Sequence, residues 1–220
     1  MFSRSFKIAA ARTIELLTIV LLTTALLPTA AWAHHPMGGT APATFMQGLL
    51  SGIGHPILGP DHLAFIVGLG LLAGIAGFGP LLPALFVAAM AAGLGLHITG
   101  LDIPGVELLV AGSVVLIGLA LWRQRTVRGT WLEGGAFALA GLFHGYAFAE
   151  AVIGSEATPI AAYVTGLVAT QLTIALAASA LGRTSIEATA RLTPVMVRIA
   201  AALILTVGLV FIASGSGLIA

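Results

Sequence analysis

The sequence predicts an all-α integral membrane protein, with six transmembrane helices behind a cleaved signal peptide. Hydrophobic residues make up 59% of the 220-residue chain and charged residues only 8%. With a mean hydropathy of +1.09, such a chain cannot build a water-facing surface, which removes soluble enzymes from consideration. The apolar residues fall in runs long enough to cross a hydrocarbon core about 30 Å thick. The basic residues, once these runs are threaded through a bilayer, all fall on one side. Six Lys or Arg follow residue 33, and they are scattered, so no phosphate-tracking basic stripe exists and nucleic acid is excluded as a partner. The absence of Cys removes disulfides, thiolate metal sites and Cys nucleophiles.

Residues 1–33 carry Arg4, Lys7 and Arg12, then the run LLTIVLLTTALL, then Pro28 and the ending Ala31-Trp32-Ala33. That order is the n-region, h-region and small-residue cleavage site of a signal peptide. The alternative is an uncleaved first span, because Glu15 interrupts the apolar run and Trp32 sits at the cleavage site. Cleavage leaves an extracytoplasmic segment, residues 34–42, that begins His34-His35-Pro36-Met37. A free α-amine beside His34 and His35 is a weak divalent-metal site; a polar spacer that suits the peptidase is the equal alternative.

Residues 43–220 read as one six-span membrane domain, with apolar segments at about 43–78, 80–101, 106–122, 131–153, 159–182 and 194–214. With the mature N-terminus outside, the loops after the third and fifth segments are cytoplasmic. They hold Arg123, Arg125, Arg128, Arg183 and Arg191, and Arg198 opens the sixth segment. Together with the three basic residues of the signal, every Lys and Arg lies inside. This places the chain in the inner (cytoplasmic) membrane with both mature termini on the periplasmic side. The same threading puts His55, Asp61, His62, His97, Asp102, Glu107, His144, Glu150 and Glu156 toward the outer face. Ionisable groups at membrane depth mark a pathway or site, and imidazoles with carboxylates suit a divalent cation.

The first segment is too long for one straight helix: 36 residues rise about 54 Å, against a core of about 30 Å. Pro56, Gly59 and Pro60 predict a break, with Asp61 and His62 in the first turn of the helix that follows. On an unbroken helix His55 and His62 would stand about 10.5 Å apart, too far to share a metal. A break lining a cavity removes that objection, and transporters place substrate sites at such breaks. The competing structural reading is a Pro-kinked helix whose His and Asp bond one another. Two His and one Asp within eight residues favour a site.

The fourth segment repeats the pattern. Gly52-Ile53-Gly54-His55 aligns without gaps over Gly141-Leu142-Phe143-His144, and an acid follows six residues later in each, at Asp61 and Glu150. This is consistent with an inverted three-plus-three repeat, a common transporter plan. On a straight helix Glu150 lies about 120° around from His144, so co-ligation needs local unwinding; otherwise Glu150 supports the ligands or the entry path. Thr165, Thr170, Gln171 and Thr173 predict helix-to-helix hydrogen bonds.

The segment HPILGPDH after a signal and a His-rich start, with FHGYAFAEAVIGSE in the fourth span, resembles the HupE/UreJ family of hydrogenase- and urease-associated nickel/cobalt permeases. The resemblance covers the mature chain. It implies secondary uptake of Ni²⁺ or Co²⁺ as substrate, with no permanently bound cofactor, and with a downstream metallochaperone as a recipient. It implies metal-binding roles for His55, Asp61, His62, His144 and Glu150, and a pathway role for the acid opening the third span, Glu107. His97, His34 and His35 are further pathway candidates. Many members have a second His where this chain has Phe148, and Ala149 replaces a common Gly.

No GxxxxGK[ST] loop is present, so the chain carries no ATP site of that kind. The competing functions are an intramembrane metal-dependent hydrolase, against which the lack of HExxH counts, and a metal-binding membrane scaffold, which the short loops leave without a docking region.

Overall fold

The computed structural model describes residues 40–123, 131–187 and 193–218. The signal peptide and the His34 and His35 candidates lie outside them. The described residues form seven α-helices and no strand: α1 Phe45–Leu58, α2 Pro60–Ala76, α3 Leu81–Ile98, α4 Val106–Trp122, α5 Trp131–Ala149, α6 Ala157–Glu187 and α7 Thr193–Gly215. A 3-10 turn, Glu150–Val152, extends α5.

The predicted break is there. Thr44 caps α1 by accepting from the Gln47 amide, while the Gln47 side chain accepts from the Ala43 amide, a reciprocal closure of the helix start. Pro56 removes the amide that would bond back to Gly52. Gly59 then leaves helical backbone at φ −86°, ψ 103°, and Pro60 opens α2. The two helices meet at a bend of 76°.

Four helices are long and apolar enough to cross a membrane, or five if the bent pair counts as one span. This falls short of the expected six. The remaining segment, α4, has the predicted bounds but only 17 residues, a rise of about 26 Å.

Close backbone approaches at glycines fix the helix directions. Gly48 lies against Pro159 and Gly52 against Tyr163; Gly70 lies against Ala175 and Gly74 against Ser179. Hence α1 and α2 both run parallel to α6. Gly141 meets Phe86 and Gly145 meets Met90, so α3 and α5 are parallel. Gly118 meets Leu205, Gly208 meets Val115 and Gly215 meets Leu108, so α4 and α7 are antiparallel.

Following these directions, Arg123, Arg183 and Arg198 gather at one end of the bundle, where Glu133 also lies. His97, Asp102, Glu107, Glu150 and Glu156 gather at the other. The exterior is apolar: Leu116 is 68% exposed and Leu209 56%. His55, Asp61, His62, His144, Gln171 and Ser179 are buried. Leucine outside and histidine inside is the arrangement of a chain whose exterior solvent is lipid.

Candidate metal centre

The break brings the first-segment residues inward together. His55 lies one turn before the end of α1, and Asp61 and His62 lie in the first turn of α2. The 76° bend turns a separation of two helical turns into ring centroids 5.9 Å apart, nearly perpendicular at 84°. From across the bundle α5 contributes His144, which is fully buried. His62 Nδ1 and His144 Nδ1 stand 3.0 Å apart.

The neighbours fix the protons. Ser113, on α4, donates its hydroxyl to the Val110 carbonyl at 2.6 Å. Its oxygen therefore accepts from His144 Nε2–H at 2.9 Å. The neutral His144 ring then carries its lone pair on Nδ1, aimed at His62. Tyr163, on α6, donates to the Phe148 carbonyl at 2.8 Å, so its oxygen accepts from His55 Nδ1–H at 2.7 Å. That leaves the His55 lone pair on Nε2. Orientation of a ligating imidazole through its other nitrogen is a recurrent feature of metal sites.

Asp61 directly precedes His62 in the chain. It is 7% exposed, and its Oδ1 is buried with no hydrogen-bond partner. A carboxylate oxygen out of water without a donor is unused acceptor capacity beside two imidazoles. Gly59 gives the room: a Cβ there would lie 2.8 Å from the His62 ring and 3.4 Å from Asp61 Oδ1. Phe148 fills the space between the histidines, stacked on His62 at 4.1 Å and edge-on to His55 at 4.9 Å. Among the described residues no three His, Asp or Glu side chains are close enough to hold an ion together as they stand. The His62–His144 pair is the assembled part.

The two glutamate candidates are not buried with it. Glu150 is exposed in the 3-10 turn after α5, and Glu107 is exposed in the first turn of α4. His97 is half-buried at the end of α3, stacked flat on Tyr146 at 3.8 Å, and donates Nδ1–H to the Tyr146 carbonyl at 2.8 Å. It lines a cavity of about 390 Å³ at the acidic end of the bundle, with Asp102 and Ser155. Tyr146 donates its one hydroxyl proton to Leu101 O at 2.6 Å, which leaves the carboxylate of Asp102, 3.4 Å away, its acceptor capacity.

Sequence reasoning missed Ser113 and Tyr163. A signal was present for each. Ser113 interrupts an otherwise apolar stretch of the third segment, and the chain has only two tyrosines, both of which brace histidines. The interhelical role expected of Thr165 and Thr173 is corrected: they donate to the carbonyls of Ala161 and Ala169 on their own helix.

The family model described as "HupE / UreJ protein" matches residues 21–211. Protein HupE of Rhizobium leguminosarum bv. viciae is 31% identical over 122 residues, which cover 54% of this chain. The match spans 60% of the length of that relative. No solved structure matches. A match over nearly the whole chain, joined to several apolar helices around a buried histidine cluster, makes this a multi-pass membrane protein that belongs to the HupE/UreJ family.

Proposed function

We propose that this chain is a secondary transporter that takes up a divalent transition metal, Ni²⁺ or Co²⁺, across the inner membrane. The observation that carries the reading is the buried meeting of His62 with His144 beside the unpartnered oxygen of Asp61. Two ligands at 90° with bonds of about 2.1 Å stand about 3.0 Å apart, the spacing of the two Nδ1 atoms. The proton held between them there is one that a cation would displace. Asp61 supplies a hard oxygen, and His55 stands next in line. Imidazole and carboxylate without thiolate fit borderline dications rather than Cu⁺.

The helix pairing supports six spans in an inverted repeat. Spans one and five are parallel, spans two and four are parallel, and spans three and six are antiparallel. A two-fold axis in the membrane plane exchanges the first two pairs and maps the third onto itself. On this reading α1 and α2 form span one, α4 is span three, both mature termini face the periplasm, and the arginine end is cytoplasmic. The cavity lined by His97 and Asp102 is then the outer mouth. The signal peptide of residues 1–33 and weak capture by His34 and His35 belong to the same proposal, as does delivery to a metallochaperone inside.

The test is uptake of radioactive Ni²⁺ and Co²⁺ into sealed vesicles containing the purified protein, beside His62→Ala and His144→Ala at equal protein level. Saturable uptake that both substitutions abolish supports the reading, and the ratio of the metals names the substrate. If neither metal enters above empty vesicles while the protein still binds one, transport by this chain alone is wrong.

A further inference from the structure

One buried stripe of α6 begins at Tyr163, which braces His55, and runs on into polar groups that the metal cluster does not use. Tyr163, Leu167, Gln171, Ala175 and Ser179 recur at every fourth residue, and none is more than 2% exposed. Within that stripe both amide atoms of Gln171 and the hydroxyl of Ser179 are buried without a hydrogen-bond partner. Among the described residues, the other buried side-chain atom in this condition is Asp61 Oδ1. Ser179 lies where α2 and α6 touch, against Gly74.

Their order follows from the register. Gly70 faces Ala175 and Gly74 faces Ser179, and the same register carried back one turn sets Ile66 opposite Gln171. That is one turn past His62, about 6 Å toward the arginine end, with Ser179 about 12 Å further. Hydroxyls elsewhere on α6 satisfy themselves against their own helix, as Thr165 and Thr173 do. An aliphatic side chain would fill the position of Gln171 without a desolvated amide. A polar group kept unsatisfied in an apolar interior marks a place that something polar visits.

We infer that Gln171 and Ser179 line the inward half of the route, receiving the cation and its water from the His62–His144 pair; the inference rests on the transport reading. A neutral amide oxygen is a weaker ligand than imidazole or carboxylate, so it accepts the ion without trapping it, as conduction requires. The route is shut in this structure, because Gly70 and Gly74 press on the backbone of α6. Opening it takes a swing of α2 away from α6 about the break at Gly59.

The test uses the full chain in vesicles of phosphatidylethanolamine and phosphatidylglycerol, comparing the parent with Gln171→Leu and Ser179→Ala. Calorimetry gives Ni²⁺ and Co²⁺ binding, and thermal melting reports the fold. For Gln171→Leu the expected result is affinity within about twofold of the parent, melting unchanged or raised, and uptake lowered about tenfold or more. Ser179→Ala shifts uptake the same way with binding intact. If Gln171→Leu carries metal at the parent rate, the inference is overturned while the transport reading stands. If it melts lower and loses uptake only in proportion to folded protein, Gln171 is a structural bond and the inference is again overturned. If the parent itself carries no metal, both readings fall together.

Discussion

Replacing Ser113 by Ala tests the wiring of the proposed metal centre without touching a proposed ligand. His144 is fully buried, and its Nε2–H is held by Ser113 Oγ at 2.9 Å. Deleting that oxygen leaves a buried donor unsatisfied, at a cost of about 1–3 kcal/mol. The ring can escape this by moving its proton to Nδ1, but then the lone pair no longer faces His62. Metal binding must restore the original tautomer, so the cost reappears in affinity as a loss of roughly 5–150-fold, which brackets the loss of about 10–100-fold seen when a ligand's supporting partner is removed. The assay is calorimetric titration of Ni²⁺ and Co²⁺ into the purified protein. Ser113→Thr, which keeps the hydroxyl, should retain most of the affinity. Parent affinity in Ser113→Ala, with binding abolished in His144→Ala, would refute the claim that Ser113 sets the tautomer.

Two further outcomes follow from packing. Phe148→His puts an imidazole between His55 and His62, whose rings Phe148 touches at 4.9 and 4.1 Å; affinity should rise about tenfold while uptake slows, because a third nitrogen delays release. Unchanged affinity would mean that position 148 does not face the ion. Gly145→Ala drives a Cβ into the Met90 carbonyl, backbone against backbone, and should lower stability by about 1–3 kcal/mol. Gly112→Ala, where nothing lies within 4 Å, is the matched control and should melt with the parent.

Much of the centre was legible because its signals are local. Pro56, Gly59 and Pro60 announce a break through backbone chemistry that no tertiary contact has to supply. The helices end and restart at Leu58 and Pro60 as those residues dictate. His55, Asp61, His62 and His144 are costly at membrane depth, so their types alone point inward. Radial position was harder to read. Counting residues along a helix gives depth and says nothing of the direction a side chain takes, which is why Glu107 and Glu150 were grouped with residues they do not join. Soluble helices reveal that direction through a polar face. Here α3 and α4 present apolar residues both to lipid and to the protein interior, so that Ser113 facing His144 could be found only from the packing.

The two Gly-x-x-His stretches resemble each other in sequence yet fold differently, and the prolines explain why. The ungapped alignment sets Pro56 over Gly145, Gly59 over Phe148, Pro60 over Ala149 and His62 over Ala151. Without prolines, α5 stays α-helical through Ala149 and offers one histidine from an unbroken rod. The segment of α1 and α2 breaks at Gly59, and the residue that reaches His144 is His62, from beyond the break, rather than the equivalent His55. The pair is therefore held across a joint, with His144 fixed by Ser113 and His62 riding on α2. If the ion travels inward, the swing of α2 that parts Gly70 and Gly74 from α6 also draws His62 away from His144. Opening the inner route and loosening the grip on the ion are then one movement. A site with both donors on unbroken helices would need two.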